Sequence, residues 1–196
     1  MHDLVEDAAL LIQSLDLGPV VFAGLSMGGM VAQGLLVLHP KLISGAVLAH
    51  TVATYSPAAR QSWTERITTV RAEGMAAVVE TVVARYLGTE FRGCHPEAAE
   101  ALRQQLLCND PKSYARSCEA VAGVDWLRRL PEVRQSVIVI AGRHDVGAPL
   151  VESERIAAAI PGAVLHVMEH SAHLSPIEEP AAFARVLKNF LSKAEP

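Results

Sequence analysis

From residue 17 to residue 40 the chain carries no Asp, Glu, Lys or Arg. An uncharged run of this length is either a bilayer span or a segment buried inside a protein core. Gly18, Pro19, Gly24, Gly28, Gly29 and Gly34 interrupt it, and Ser26 and Gln33 put polar groups within it. These interruptions favour a buried strand, a tight glycine turn and a buried helix in direct succession. Val20-Val21-Phe22-Ala23 is β-branched and aromatic and reads as the strand. Residues 27–38 read as the helix, which stops before Pro40.

The rest of the chain supplies what such a unit needs as neighbours. Leu4, Ala8, Leu11 and Leu15, with Val5 and Ile12 alongside, recur at helical spacing, so a helix precedes Gly18-Pro19. Strands are expected at residues 43–48, 137–141 and 163–167, the last opened by Pro161-Gly162. Helices are expected at about 150–160 and from Pro180 onward, where Phe183, Val186, Leu187, Phe190 and Leu191 share a face. Alternation of strand and helix means a parallel sheet covered on both faces. Between the second and third strands no strand signal stands out. Met75, Val78, Val79, Val82, Val83 and Tyr86 follow helical spacing, as do Leu102, Leu106 and Leu107. Residues 55–129 are therefore expected to be a helical insertion, a cap on a core formed by residues 1–54 and 130–196. With 196 residues, 51% of them hydrophobic, the chain can bury such a core.

Charge and cysteine content narrow the partners. A net charge of −4 argues against nucleic acid, which demands a basic surface. The acidic N-terminus lacks the basic and apolar regions of a secretory signal, and no membrane span is expected. Cys94, Cys108 and Cys118 are odd in number and form no C-x-x-C pair, as expected of reduced thiols in a cytoplasmic protein. Cys94 adjoins His95, but two neighbours do not make a metal site, and no metal or cofactor is expected.

Gly24-Leu25-Ser26-Met27-Gly28 is a G-x-S-x-G match. Chance alone would give three such fixed positions in about 6% of chains this long, so its context decides. The match falls where a strand turns directly into a helix, which is the setting of a nucleophile elbow. The turn strains the serine backbone, flanking glycines relieve clashes, and Oγ projects above the sheet. A serine needs a base, and the base an orienting acid. Asp145 follows the third strand and His173 the fourth, in the order an α/β-hydrolase uses. Rivals remain open on residue pattern alone: His170 as base, and Asp125 or Glu169 as acid. Asp125 reads instead as a helix N-cap before Trp126-Leu127, and His144 as a loop residue. His39 reads as a helix end, and His50, at the end of the second strand, as a residue lining the site.

Three stretches resemble the 3-oxoadipate enol-lactonases, α/β-hydrolases of aromatic-compound catabolism. They are Ala23-Gly24-Leu25-Ser26-Met27-Gly28-Gly29-Met30-Val31, Arg66-Ile67-Thr68-Thr69-Val70-Arg71-Ala72-Glu73-Gly74-Met75-Ala76, and Ser171-Ala172-His173-Leu174-Ser175-Pro176-Ile177-Glu178-Glu179-Pro180. The resemblance runs over essentially the whole chain. It implies an α/β-hydrolase fold in which Ser26 opens an enol-lactone, His173 is the base in preference to His170, and Asp145 is the acid. The Met27 backbone N–H would give one oxyanion donor. The implied substrate is an anion, and nine of the thirteen arginines lie in the cap. Trp63 and Arg66 are candidates for the pocket wall, with guanidinium gripping carboxylate.

The same resemblance implies strands and an oxyanion loop ahead of the first helix, so the fold is expected to be N-terminally truncated. The strand around Val21 would then present an open edge, through which a homo-oligomer could pair. Three expectations follow: a small-lactone hydrolase, a general carboxylesterase of the same fold, or a catalytically impaired chain that binds a partner.

Overall fold

The computed structural model describes residues 1–194. Its centre is a parallel sheet of β1 (Val20–Leu25), β2 (Ile43–Ala49), β3 (Ser136–Gly142) and β4 (Val164–Met168), adjacent in chain order. Parallel neighbours cannot be joined by hairpins, so each connection crosses over through helix. Helix α2 (Met27–Leu38) joins β1 to β2, and α8 (Leu150–Ala159) joins β3 to β4. Helix α1 (His2–Leu15) precedes the sheet, and α9 (Ser175–Glu178) and α10 (Pro180–Ala194) follow it. No helix among the described residues is long and apolar enough to cross a membrane.

The two faces of the sheet are read off the alternation of side chains along each strand. Ala46, Leu48, Val137 and Val139 pack with Val5, Met30, Leu35 and Ile156, under α1, α2 and α8. Val47, Ala49, Ile138 and Ile140 point the other way, with Val186 and the partly buried Phe183 and Phe190 of α10. Thus β2 and β3 are apolar at nearly every position because both faces are covered.

Between β2 and β3 lie α3 (Pro57–Glu73), α4 (Val79–Tyr86), α5 (Thr89–Cys94), α6 (Pro96–Leu107) and α7 (Pro111–Ala122). Pro57, Pro96 and Pro111 open α3, α6 and α7, where a missing N–H costs nothing. The Ser56 and Asp110 side chains accept hydrogen bonds from the Ala59 and Ser113 backbone N–H at 3.2 and 2.8 Å, capping α3 and α7. These helices have their own apolar cluster of Val70, Met75, Val79, Val82, Val83 and Leu106.

Two details differ from the sequence expectation, and a third, strand β1, departs from it in burial while keeping the expected open edge. The buried stripe of α1 is Val5, Ala9 and Ile12, while Leu11 and Leu15 are more than half exposed. The helix docks at Gly34 of α2, where a Cβ would lie 2.3 Å from the Val5 Cγ2, so the helices approach through that gap. Strand β1 is only partly buried, and Ala23 is exposed, because β2 is its one strand partner among the described residues. Asp125 does not cap a helix: it is exposed and pairs with Thr54 in an isolated antiparallel bridge.

The asymmetry of α1 is measurable. Gly34→Val is expected to lower unfolding free energy by about 1–3 kcal/mol through overpacking against Val5. Leu11→Gln on the other side of the helix should change it by less than about 0.5 kcal/mol. Urea titration followed by circular dichroism checks both.

Candidate active site

Ser26 sits between β1 and α2 with φ 54° and ψ −113°, a backbone that a non-glycine residue adopts only under constraint. Three hydrogen bonds supply the constraint. Its N–H donates to the Ala49 carbonyl at 2.8 Å, and its carbonyl accepts from the Thr51 hydroxyl at 2.8 Å and the Met30 N–H at 3.1 Å. The turn is so tight that a Cβ on Gly24 would lie 2.1 Å from the Gly28 carbonyl oxygen. The result is a serine Oγ held at the carboxyl end of the sheet, beside the N-terminus of α2.

Asp145 and His173 reach the same point. Asp145 lies in the turn after β3, where its Oδ1 accepts from the Gly147 and Ala148 N–H groups at 2.7 and 2.8 Å. Its Oδ2 lies 2.8 Å from the His173 Nδ1, and the His173 Nε2 lies 2.9 Å from the Ser26 Oγ. Serine, imidazole and carboxylate therefore form one hydrogen-bonded chain, with Asp145 and His173 both buried. Burial opposes charge on Asp145, but hydrogen bonds from His173, His50 and the Ala148 N–H outweigh it, so the carboxyl titrates well below the usual range.

The His173 loop is pinned from two sides. Tyr86, at the end of α4, stacks on the imidazole at 5.1 Å with 25° between rings, and its carbonyl accepts the Leu174 N–H at 3.2 Å. Glu178 accepts the Ala172 N–H and the Gly88 N–H, each at 2.7 Å, tying that loop to the start of α5. Sequence reading missed Glu178, although it falls inside the stretch Ser171–Pro180 that carries the resemblance.

The rivals lie elsewhere. His170 and His144 are exposed, and Glu169 pairs with Arg143 at 2.8 Å on the surface. His39 caps the end of α2 and contacts Glu6 at 2.9 Å. His50, expected to line the site, lines the cavity over Ser26 and also contacts Asp145. It is fully buried, with Nδ1 3.3 Å from the Asp145 Oδ2 and Nε2 2.6 Å from the Ser175 Oγ. Its place at the carboxyl end of the strand beside β1 was the available signal. Among the described residues, His50, Asp145 and His173 form the one grouping close enough to share a metal ion, but their donor atoms already face one another.

A cavity of about 140 Å³ opens over Ser26. This is close to the volume of an engineered cavity that admits benzene, so it suits a small ring. Trp63, Arg66 and Arg85 form part of its wall, and sequence reading had singled out only the first two. The Arg66 and Arg85 guanidiniums lie 4.8 and 5.9 Å from the Trp63 ring centroid. Neither is ion-paired among the described residues, whereas Arg71, Arg103 and Arg129 all are. Burial and then the charge of Arg66 push the Arg85 guanidinium downward, while burial pushes the nearby Tyr55 phenol up to about 12. The wall is thus cationic and apolar together.

Comparison with known proteins agrees with this fold. The chain is 29% identical over 193 residues to 3-oxoadipate enol-lactonase 2 of Acinetobacter baylyi, spanning 98% of this chain and 71% of that protein. The enol-lactonase from Burkholderia xenovorans LB400 superimposes with a TM-score of 0.91 at 30% identity, over 97% of this chain and 72% of the other. A thermophilic esterase from Thermogutta terrifontis, solved with malate bound, gives 0.90 at 30% identity, over 98% and 72%. Residues 1–186 match the alpha/beta hydrolase family, and the chain belongs to it.

Proposed function

We propose that this chain is a serine hydrolase that opens a small anionic lactone, of the 3-oxoadipate enol-lactone type. The observation that carries this reading is the Ser26–His173–Asp145 chain lying under a small cavity with two unpaired guanidiniums. The helices α3–α7 then serve as the cap that supplies Trp63, Arg66 and Arg85.

The chemistry follows from the contacts. As the Ser26 Oγ attacks the lactone carbonyl, its proton passes to the His173 Nε2, and Asp145 stabilises the imidazolium that forms. Negative charge develops on the carbonyl oxygen, where the Met27 N–H at the start of α2 donates. Collapse of the tetrahedral species breaks the ring C–O bond. The departing enol oxygen takes the proton from His173 and the enol tautomerises to a ketone. Water then attacks the acyl-enzyme as His173 accepts its proton, and collapse breaks the Ser26 Oγ–acyl bond with that proton passing from His173 to the departing Oγ. The substrate carboxylate would pair with Arg66 and Arg85. Support for an anion comes also from the relatives: two are enol-lactonases, and the esterase was solved with malate, a small dicarboxylate.

A fluorophosphonate probe tests the nucleophile: Ser26 is expected to label in the native chain and Ser26→Ala to lose all labelling. Labelling that persists in Ser26→Ala would sink the assignment. Enol-lactone turnover exceeding that of neutral aryl esters separates a lactonase from a general esterase.

Asp145→Asn should lower kcat about 10⁴-fold, because the wrong imidazole tautomer is then favoured. Its effect on stability has a defined sign. The folded carboxyl titrates below its unfolded value of about 3.9, so its stabilisation is complete above that pH and is lost as pH falls below it. Acid titration from about pH 5 downward should therefore be flatter for Asp145→Asn than for the native chain.

For the pocket, Arg66→Gln and Arg85→Gln should each raise KM for an anionic substrate by about ten- to a hundredfold. KM for a neutral ester of the same size should hold nearly constant. Equal effects on both substrates would argue against a carboxylate site.

A further inference from the structure

We propose that His50 is a positioning residue of this reaction, fixing the carboxylate of Asp145 on which His173 turns. The inference rests on the serine-hydrolase reading above and adds a second histidine arm to it.

An ionised carboxylate accepts at about four positions. Three positions on Asp145 are taken by Gly147, Ala148 and His173, and the fourth faces the His50 Nδ1 at 3.3 Å. Because Asp145 can only accept, Nδ1 of His50 carries the proton. The opposite nitrogen of a neutral imidazole is then an acceptor, and the Ser175 hydroxyl, 2.6 Å away, donates to it. Two arms of the same order, Ser26 to His173 and Ser175 to His50, therefore converge on a single oxygen, Oδ2.

The arms differ in access. Ser26 faces the cavity, whereas Ser175 is fully buried at the start of α9. Ser175 is thus no second nucleophile; it sets the tautomer of His50. The backbone agrees, since His50 has φ 49°, in the left-handed region, where its N–H donates to the Ile140 carbonyl at 2.7 Å. A non-glycine residue in this conformation, with a satisfied and buried ring, marks a position fixed by its surroundings. The two imidazoles lie 5.8 Å apart at 67°, so His50 packs edge-on against His173, which Tyr86 also stacks upon.

Two consequences follow. With all four acceptor positions occupied, the carboxylate cannot rotate, and the tautomer of His173 is held. Because His50 shares Oδ2, less of the carboxylate's negative charge is directed at His173 than with a single donor. The charged and titratable groups around His173 are Asp145, His50 and Tyr86, with Arg85 reaching it beside Gly147 and Glu178 holding its loop.

The test measures the fluorophosphonate labelling rate of the full chain between about pH 5 and pH 9, the range in which histidine bases titrate. His50→Leu removes the donor, and His50→Asn retains an N–H near the Nδ1 position and tolerates the left-handed backbone. The expected result for His50→Leu is a plateau rate lower by about tenfold or more. Its acid limb should also move to higher pH by about half a unit or more. His50→Asn should restore most of both. Ser175→Ala, which leaves the backbone at residue 50 untouched, should move plateau and limb in the same directions, and it carries the test where His50→Leu fails to fold. Folded His50→Leu or Ser175→Ala with native plateau and limb overturns the proposal while leaving the triad intact. A native chain that never labels overturns both.

Discussion

Everything at this site depends on the closeness of Gly24 and Gly28 across the turn that ends β1. That contact leaves no space for a Cβ and forces Ser26 into a left-handed backbone that hydrogen bonds to Ala49, Thr51 and Met30 hold in place. Two of those three partners belong to the end of β2 or to the residues just after it, so the turn can be this tight only if the sheet is in register. The pairing of Leu25 with Ala49, and of Ala49 with Ile140, carries that register from β1 through β2 to β3. Ser26, His50, Asp145 and His173 then follow β1, β2, β3 and β4 in turn. Each of the four parallel strands delivers one polar side chain at its carboxyl end, where open α/β sheets gather their sites.

Parallel topology explains why so much of this was legible in the sequence. Strands covered on both faces read as unbroken apolar runs, and β2 and β3 do so. Ser26, Asp145 and His173 lie in the turns and loops that follow β1, β3 and β4, so the proposed site residues could be located by position relative to strands. The misreadings have physical causes of their own. In α1 apolar residues occupy more than one side, and periodicity cannot say which side docks; Gly34 on the facing helix decides it. Asp125 resembled a helix cap because Asp before Trp and Leu often is one, yet its backbone is drawn into a bridge with Thr54. His50 was placed correctly at the strand end, but its contact with Asp145 spans 95 residues of sequence, which no local pattern encodes. Arg85 was lost among nine arginines of one helical region; only the structure separates the paired from the unpaired.

The cationic wall and the buried carboxylate pose an electrostatic problem that the fold resolves by geometry. Arg66 and Arg85 repel one another, and burial makes that repulsion stronger. The Trp63 ring beside them presents a negative π face, which attracts both guanidiniums without neutralising either. Asp145 is the nearby negative charge that could have quenched them. Its two oxygens, however, are committed to the backbone of Gly147 and Ala148 and to the two imidazoles. Positive charge in the wall is therefore not neutralised by Asp145, while the carboxylate keeps its orientation toward His173. Saturating the carboxylate with hydrogen bonds keeps the positive wall and the serine–histidine pair separate, so that under the proposed reading each would serve a different part of the substrate.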